Sequence, residues 1–156
     1  MKKRGLSPVI ATTLLIVLVI AIAVIVFLWF RGMVKMEATK FGKNVKLVCE
    51  DVVFTASYSG GSLQISNNGN VPIYDMNVKK EGDGSYDTIS LKNDILNSNW
   101  PTIGLNQGQA FSEDISSLID TGTNKITLIP VLLGNTGEGE ETFVCDEQYG
   151  YEIIIT

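Results

Sequence analysis

Residues 9–30 read Val-Ile-Ala-Thr-Thr-Leu-Leu-Ile-Val-Leu-Val-Ile-Ala-Ile-Ala-Val-Ile-Val-Phe-Leu-Trp-Phe, an apolar run interrupted only by Thr12 and Thr13. At about 1.5 Å of rise per residue this run makes a helix of roughly 33 Å, and a bilayer core is about 30 Å thick. Val, Ile and Leu surround the whole circumference, the pattern of a helix covered on every side. Ala11, Ala21 and Ala23 leave places for close approach of another helix. A solitary lipid-facing anchor and a helix packed among identical copies satisfy this pattern equally well.

Outward from the run, the two flanks differ. Lys2, Lys3 and Arg4 crowd its N-terminal side, against Arg31 and Lys35 on the other. Positive charge beside a span tends to stay cytoplasmic, so the C-terminal part is expected outside. Beyond Val45 the composition changes to polar, Gly- and Asn-rich and acidic. Of the chain's 17 carboxylate side chains all but Glu37 lie there, with Lys46, Lys79, Lys80, Lys92 and Lys125 as its only bases. Nothing resembles the basic stripe that phosphate contacts require, so nucleic acid is not expected as a partner. About 110 residues suit one domain with one core.

The N-terminus admits three readings. Ala21-Ile22-Ala23 offers the small-x-small pattern of a secretory signal, but seven more apolar residues come after it, where a cleavage site normally opens into a polar stretch. An uncleaved anchor accounts for length and charge but leaves Gly5-Leu6-Ser7-Pro8 without a role. In the third reading the chain is cut ahead of the apolar run, after Gly5, and the helix survives. Gly5 lacks a Cβ and lets extended backbone enter a protease. Lys2, Lys3 and Arg4 hold the bond at the cytoplasmic surface. Ser7 can cap the helix and Pro8 suits its first turn, where a missing N–H costs nothing.

On these residues, from Met1 to about Phe30, the sequence closely resembles the archaeal type IV pilin-like proteins, whose class III signal peptides are cut after a Gly preceded by Lys or Arg. The resemblance implies a prepilin peptidase that recognises Lys2, Lys3, Arg4 and Gly5 and leaves Leu6 as the new N-terminus. It also implies a helix that leaves the bilayer sideways and packs with identical helices as a filament core. Bacterial type IV pilins carry Glu at the fifth mature position, whereas this chain has Ile10 there, so charge-guided registration of subunits is not expected.

The rest is read as β-structure. Val52, Phe54, Ala56 and Tyr58 alternate with Val53, Thr55 and Ser57, and Tyr151, Ile153 and Ile155 with Glu152, Ile154 and Thr156. Turn signals lie at Ser59-Gly60-Gly61-Ser62, Asn67-Asn68-Gly69-Asn70, Glu81-Gly82-Asp83-Gly84 and from Gly134 to Gly139. Strands are expected at Val52–Tyr58, Leu63–Ser66, Ile73–Lys79, Thr88–Leu91, Lys125–Leu133, Glu141–Cys145 and Tyr149–Ile155, an antiparallel sandwich. The stretch Leu63–Tyr74 resembles the strand-turn-strand element of immunoglobulin-like domains in archaeal surface proteins. Asn and Gly are expected to supply positive φ in its turn, and Pro72 to mark a strand start or edge. Arg31 to about Lys43 reads as a helical stalk, with Met33, Met36 and Phe41 covering the underside of the domain or solvated. Asn93–Leu118 reads as irregular, with loops at Trp100-Pro101 and Ser112-Glu113-Asp114, a short helix at Ile115–Ile119 and a surface for neighbours. The expected class is α+β: a basic leader over 1–5, a hydrophobic helix with stalk over 6–44 that spans the membrane at about 9–30, and an immunoglobulin-like β-sandwich over 45–156.

Cys49 and Cys145 are the only cysteines, and outside the reducing cytoplasm a disulfide is the economical expectation, with two separate buried thiols as its alternative. The chain has no His, so no zinc tetrahedron is expected. Asp83, Asp87, Glu138, Glu140 and Glu141 are oxygen ligands in kind but match no calcium loop, and no metal or cofactor is expected. No Gly-x-Ser-x-Gly elbow or phosphate loop is present. Glu113 with Asp114 and Glu140 with Glu141 are adjacent, and neighbours on a strand point to opposite faces. An enzyme is therefore not expected. The functional expectation is a structural subunit of a type IV pilus-like cell-surface filament, whose partners are the membrane, the prepilin peptidase and copies of itself. The alternative is a non-polymerising anchored sandwich, such as an archaellum stator-like subunit contacting surface-layer protein.

Overall fold

The computed structural model describes residues 8–34, 39–82, 84–95, 98–136 and 139–155, and the chain divides into two units, Met1–Glu37 and Ala38–Thr156. In the first, α1 runs from Pro8 to Val34. Its many β-branched residues are modest helix formers in water. A helix satisfies every backbone group internally, which in an apolar surrounding would outweigh that preference. The two polar residues obey the same rule: the hydroxyls of Thr12 and Thr13 donate to the carbonyls of Val9 and Ile10, each at 3.0 Å.

The second unit opens with a small hairpin, β1 (Thr39–Lys40) and β2 (Lys43–Asn44), turned by Phe41 and Gly42 at φ of 54° and 74°. Of the helical stalk expected over Arg31 to about Lys43, Arg31–Val34 continue α1, and residues 35–38, with Met36, lie outside the described residues. The hairpin stands in place of its last part, where Phe41 is 70% exposed. One helical turn, α2 (Val45–Val48), comes next. Then come β3 (Phe54–Ser59), β4 (Ser62–Asn67), β5 (Asp75–Gly82), β6 (Ser85–Ser90), β7 (Ala110–Asp114), β8 (Lys125–Thr136), β9 (Gly139–Val144) and β10 (Tyr151–Ile154).

These strands form two antiparallel sheets. One has the order β3-β4-β7, and the other the path β2-β1-β8-β5-β6, with β9 and β10 also on β8. The 12-residue β8 is the organiser. On one edge it pairs with β5 and then β1; on the other it pairs with β10 over Lys125–Leu128 and with β9 over Val131–Thr136. Pro130 falls in the gap between β10 and β9, where its missing N–H leaves no ladder bond unmade. Its carbonyl accepts from Cys145 N–H at 3.0 Å.

Leu63, Ile65 and Phe111 of the small sheet and Met76, Val78, Ile126 and Leu128 of the large one belong to a single core. Each fully buried side chain of this size contributes roughly 1.5–3 kcal/mol. The segment expected to be irregular supplies much of the rest. Trp100, Leu105, Phe111 and Ile115 are buried, and the Trp100 indole donates to Tyr74 O at 2.7 Å. Ser112-Glu113-Asp114, read as a loop, is the end of β7, and the short helix is a single 3-10 turn at Ser116–Leu118.

The Leu63–Tyr74 element is held by a different device from the one expected. None of residues 67–70 has a positive φ. Asn67 is fully buried and its amide donates to Val71 O at 2.9 Å and Leu105 O at 2.8 Å, while its side-chain oxygen accepts from Gly69 N–H at 3.0 Å. Gly69 is needed for closeness, since a Cβ there would stand 3.0 Å from Val53 N.

Candidate functional site

The expected processing residues Lys2, Lys3, Arg4, Gly5, Leu6 and Ser7 lie outside the described residues, and the described helix opens on Pro8. From Val9 to Phe30 α1 is a cylinder of hydrocarbon. Every large apolar side chain from Val9 to Phe30 is at least half exposed, and the two hydroxyls that interrupt the run are folded back onto the backbone. The sixteen Leu, Ile, Val and Phe side chains of this run, at about −0.3 to −0.6 kcal/mol each, favour insertion by roughly 5–10 kcal/mol. Among the described residues this is the one helix long and apolar enough to cross a membrane, a property that signal sequences share.

Cys49 and Cys145 are joined in a disulfide, with Cα atoms 5.8 Å apart across a sequence separation of 96. Cys49 begins the 3-10 turn after α2, and Cys145 directly follows β9. Val45, Val48, Val71 and Leu132 enclose the bridge in a second apolar cluster. Tyr149, packed against that cluster, donates its hydroxyl to Glu50 at 3.0 Å, and the carboxylate raises the phenol above its ordinary pKa. The bridge therefore closes the first turn of the domain onto its last strands, and its sulfurs are committed to structure.

Several of the described carboxylates are engaged in structural work. Lys79 pairs with Glu147 at 2.7 Å and Glu81 at 3.0 Å, and Lys125 pairs with Glu81 at 3.0 Å and Glu152 at 3.2 Å. Hydrogen bonds from Lys79 and then Lys125 hold the Glu81 carboxyl below the usual carboxylate range. Glu113 accepts from Asn99 N–H at 3.0 Å, and Asp114 from Ser116 N–H at 2.9 Å. The Ser116 hydroxyl and amide together lower the Asp114 pKa.

The acidic residues considered for calcium are not brought together. Asp87 lies on β6 beside Lys80, at 3.4 Å, while Glu140 and Glu141 lie on β9 with β5 and β8 between; Asp83 and Glu138 are outside the described residues. Among the described residues no group of three or more His, Cys, Asp or Glu side chains is placed to hold a metal ion.

Two surface features escaped the sequence reading. The hairpin tip at Phe41 was signalled only by Gly42, a turn residue inside a helix-compatible composition. The open face of the small sheet presents Thr55, Ser57, Gln64, Ser66, Ala110 and Ser112 around a shallow groove of about 390 Å³. Its small polar residues alternate with the buried ones and were legible only as a strand pattern. No protein-family model matches the chain, and no curated protein matches it either.

Proposed function

We propose that this chain is a structural subunit of a type IV pilus-like surface filament, cut after Gly5 and polymerised through its N-terminal helix. The observation that carries the reading is the all-round hydrocarbon surface of α1. A bilayer and a bundle of like helices each cover such a surface. Both are supplied in turn if the helix is a membrane span before assembly and a filament core afterwards. The leader explains the order of events. Lys2, Lys3 and Arg4 pin the helix to the cytoplasmic face, because drawing three cations into hydrocarbon is costly. Their removal leaves only the amine of Leu6 at that end.

Flanking charge alone does not orient the span, since Lys40, Lys43 and Lys46 come after Arg31 and Lys35. The disulfide supports an oxidising, extracytoplasmic setting for the domain. Two antiparallel sheets sharing one core support reading it as an immunoglobulin-like sandwich, displayed on the filament surface.

A second reading is a non-polymerising anchored sandwich that contacts a surface-layer protein, in the manner of an archaellum stator-like subunit. The open, uncharged hydrogen-bonding face around Gln64 favours it. Electron microscopy of the chain co-expressed with a prepilin peptidase separates the two. Filaments are expected on the first reading, and a processed chain retained in the membrane as a monomer on the second.

A further inference from the structure

The ladder bonds fix which way each backbone group of β7 points. Gln109 O accepts from Asn67 N–H at 3.0 Å, and Ile115 N–H donates to Gly61 O at 2.9 Å, at the two ends of the β4 and β7 pairing. Antiparallel ladders alternate. Phe111 and Glu113 therefore turn their N–H and C=O toward β4, while Ala110, Ser112 and Asp114 turn theirs away. Among the described residues these outward groups have no backbone partner, and all three residues are exposed.

The edge of the large sheet at β6 is built differently. Leu91 N–H donates to Met76 O at 2.9 Å, so by the same alternation Thr88 and Ser90 point outward. Both of their N–H groups are taken: Asp87 accepts from Thr88 at 2.9 Å and Asp94 from Ser90 at 2.6 Å. Ser90 O in turn accepts from Asp94 N–H at 3.0 Å. These carboxylates close β6 to a further strand, as charges on natural edges do. β9 carries the exposed carboxylates Glu140 and Glu141. β3 lies against β10, with the Phe54 and Tyr151 ring centroids 6.1 Å apart. β7 has none of these guards, because its own acids are held within the domain, Glu113 by Asn99 N–H and Asp114 by Ser116 N–H.

We infer that the open edge of β7 pairs with β7 of a second copy, antiparallel about a two-fold axis at Ser112, joining two three-stranded sheets into one. The strand is self-complementary in this register. Ser112 meets its own counterpart and Ala110 meets Asp114, so each outward N–H finds an outward C=O. Like charges do not face each other, since Asp114 opposes Ala110 and Glu113 opposes Phe111. On a chain of net charge -5, copies approach with least repulsion where charge is absent. The sheet face continuous with this edge, at Thr55, Ser57, Gln64 and Ser66, carries none. Main-chain bonds supply the attraction, as in other cases of strand addition. The contact rests on the domain alone and is independent of leader processing.

The test uses the full chain in detergent. Its native cysteines are both in the disulfide, so an introduced thiol is the only free one. Ser112→Cys is expected to give a covalent dimer under mild oxidation, because residues paired across such an axis have Cα atoms about 5.5 Å apart, within disulfide reach. Gln64→Cys is the register control: it sits beside Ser112 on β4, which leaves roughly 14 Å to its counterpart at about 4.8 Å per strand, and no cross-link is expected. Ala110→Cys alone should also stay monomeric on the gel, and mixing it with Asp114→Cys should give the dimer. Ser112→Pro leaves the β4 ladder whole, since the N–H it removes points outward, and should convert the parent's dimer to monomer in light scattering. Peptide mapping of the Cys49 to Cys145 bond confirms that each variant keeps the parent fold. No cross-link from Ser112→Cys overturns the inference. Equal cross-linking of Gln64→Cys marks random collision and also overturns it, as does a dimer that survives Ser112→Pro, which puts the contact on another surface such as α1.

Discussion

Cys49 and Cys145 tie the first helical turn of the domain to the end of β9, across 96 residues of chain. In the chain-entropy account a loop of this length stabilises the fold by roughly 4–5 kcal/mol. A Cys49→Ala, Cys145→Ala double variant is expected to lose about that amount, measured by chemical denaturation of the full chain in detergent. Reductant should shift the parent protein toward the variant and leave the variant unchanged. Equal stability of the two would show that the apolar cluster around the bridge holds this corner unaided.

Asn67 should be among the most sensitive single positions of the domain. Its amide is the partner of two carbonyls, those of Val71 and Leu105, in a fully buried setting. Asn67→Ala is expected to destabilise by about 2–4 kcal/mol, since it strands buried acceptors. Asn67→Asp should be worse, because it replaces two donors with a buried charge. Denaturation midpoints of the two variants check the order, and a milder effect from Asp would contradict it.

The ion-pair chain on β5 and β8 sets a pH window. Glu81 has a folded pKa below its usual 4.5, so its contribution is complete above about pH 5 and is lost as pH falls through the folded value. Lys79 and Lys125 have folded values above the usual 10.5, through Glu147 and Glu81 for the first and Glu81 and Glu152 for the second. Their contribution is complete below about pH 10 and is lost as pH rises through the folded values. A stability plateau between these limits is expected, with Glu81→Gln flattening its acid edge. An unchanged acid edge in that variant would remove the network from the account.

How far the sequence disclosed the fold depends on the periodic signal each segment carries. The span from Val9 to Phe30 and strands such as β3 and β8 announce themselves through long apolar or alternating runs. β7 does not. It is an edge strand whose inward apolar residue, Phe111, is followed by Ser112-Glu113-Asp114, which resembles a loop. The hairpin of β1 and β2 has two residues per strand, too few for any period, and its Lys40-Phe41-Gly42-Lys43 composition suits a helix equally well. The core role of Trp100 and Leu105 comes from tertiary packing of an irregular segment, which no local pattern records. The pairing of the only two cysteines was legible because composition left few alternatives. The role of Asn67 was not, because a turn-forming residue and a buried cross-linking amide look alike in sequence.

The central claim is that the leader is removed and the helix retained, and intact-mass spectrometry of the mature chain from a host with the prepilin peptidase tests it most directly. The account predicts a chain beginning at Leu6 and carrying the whole run from Val9 to Phe30. A chain still beginning at Met1, or one cut after Ala23, would contradict it.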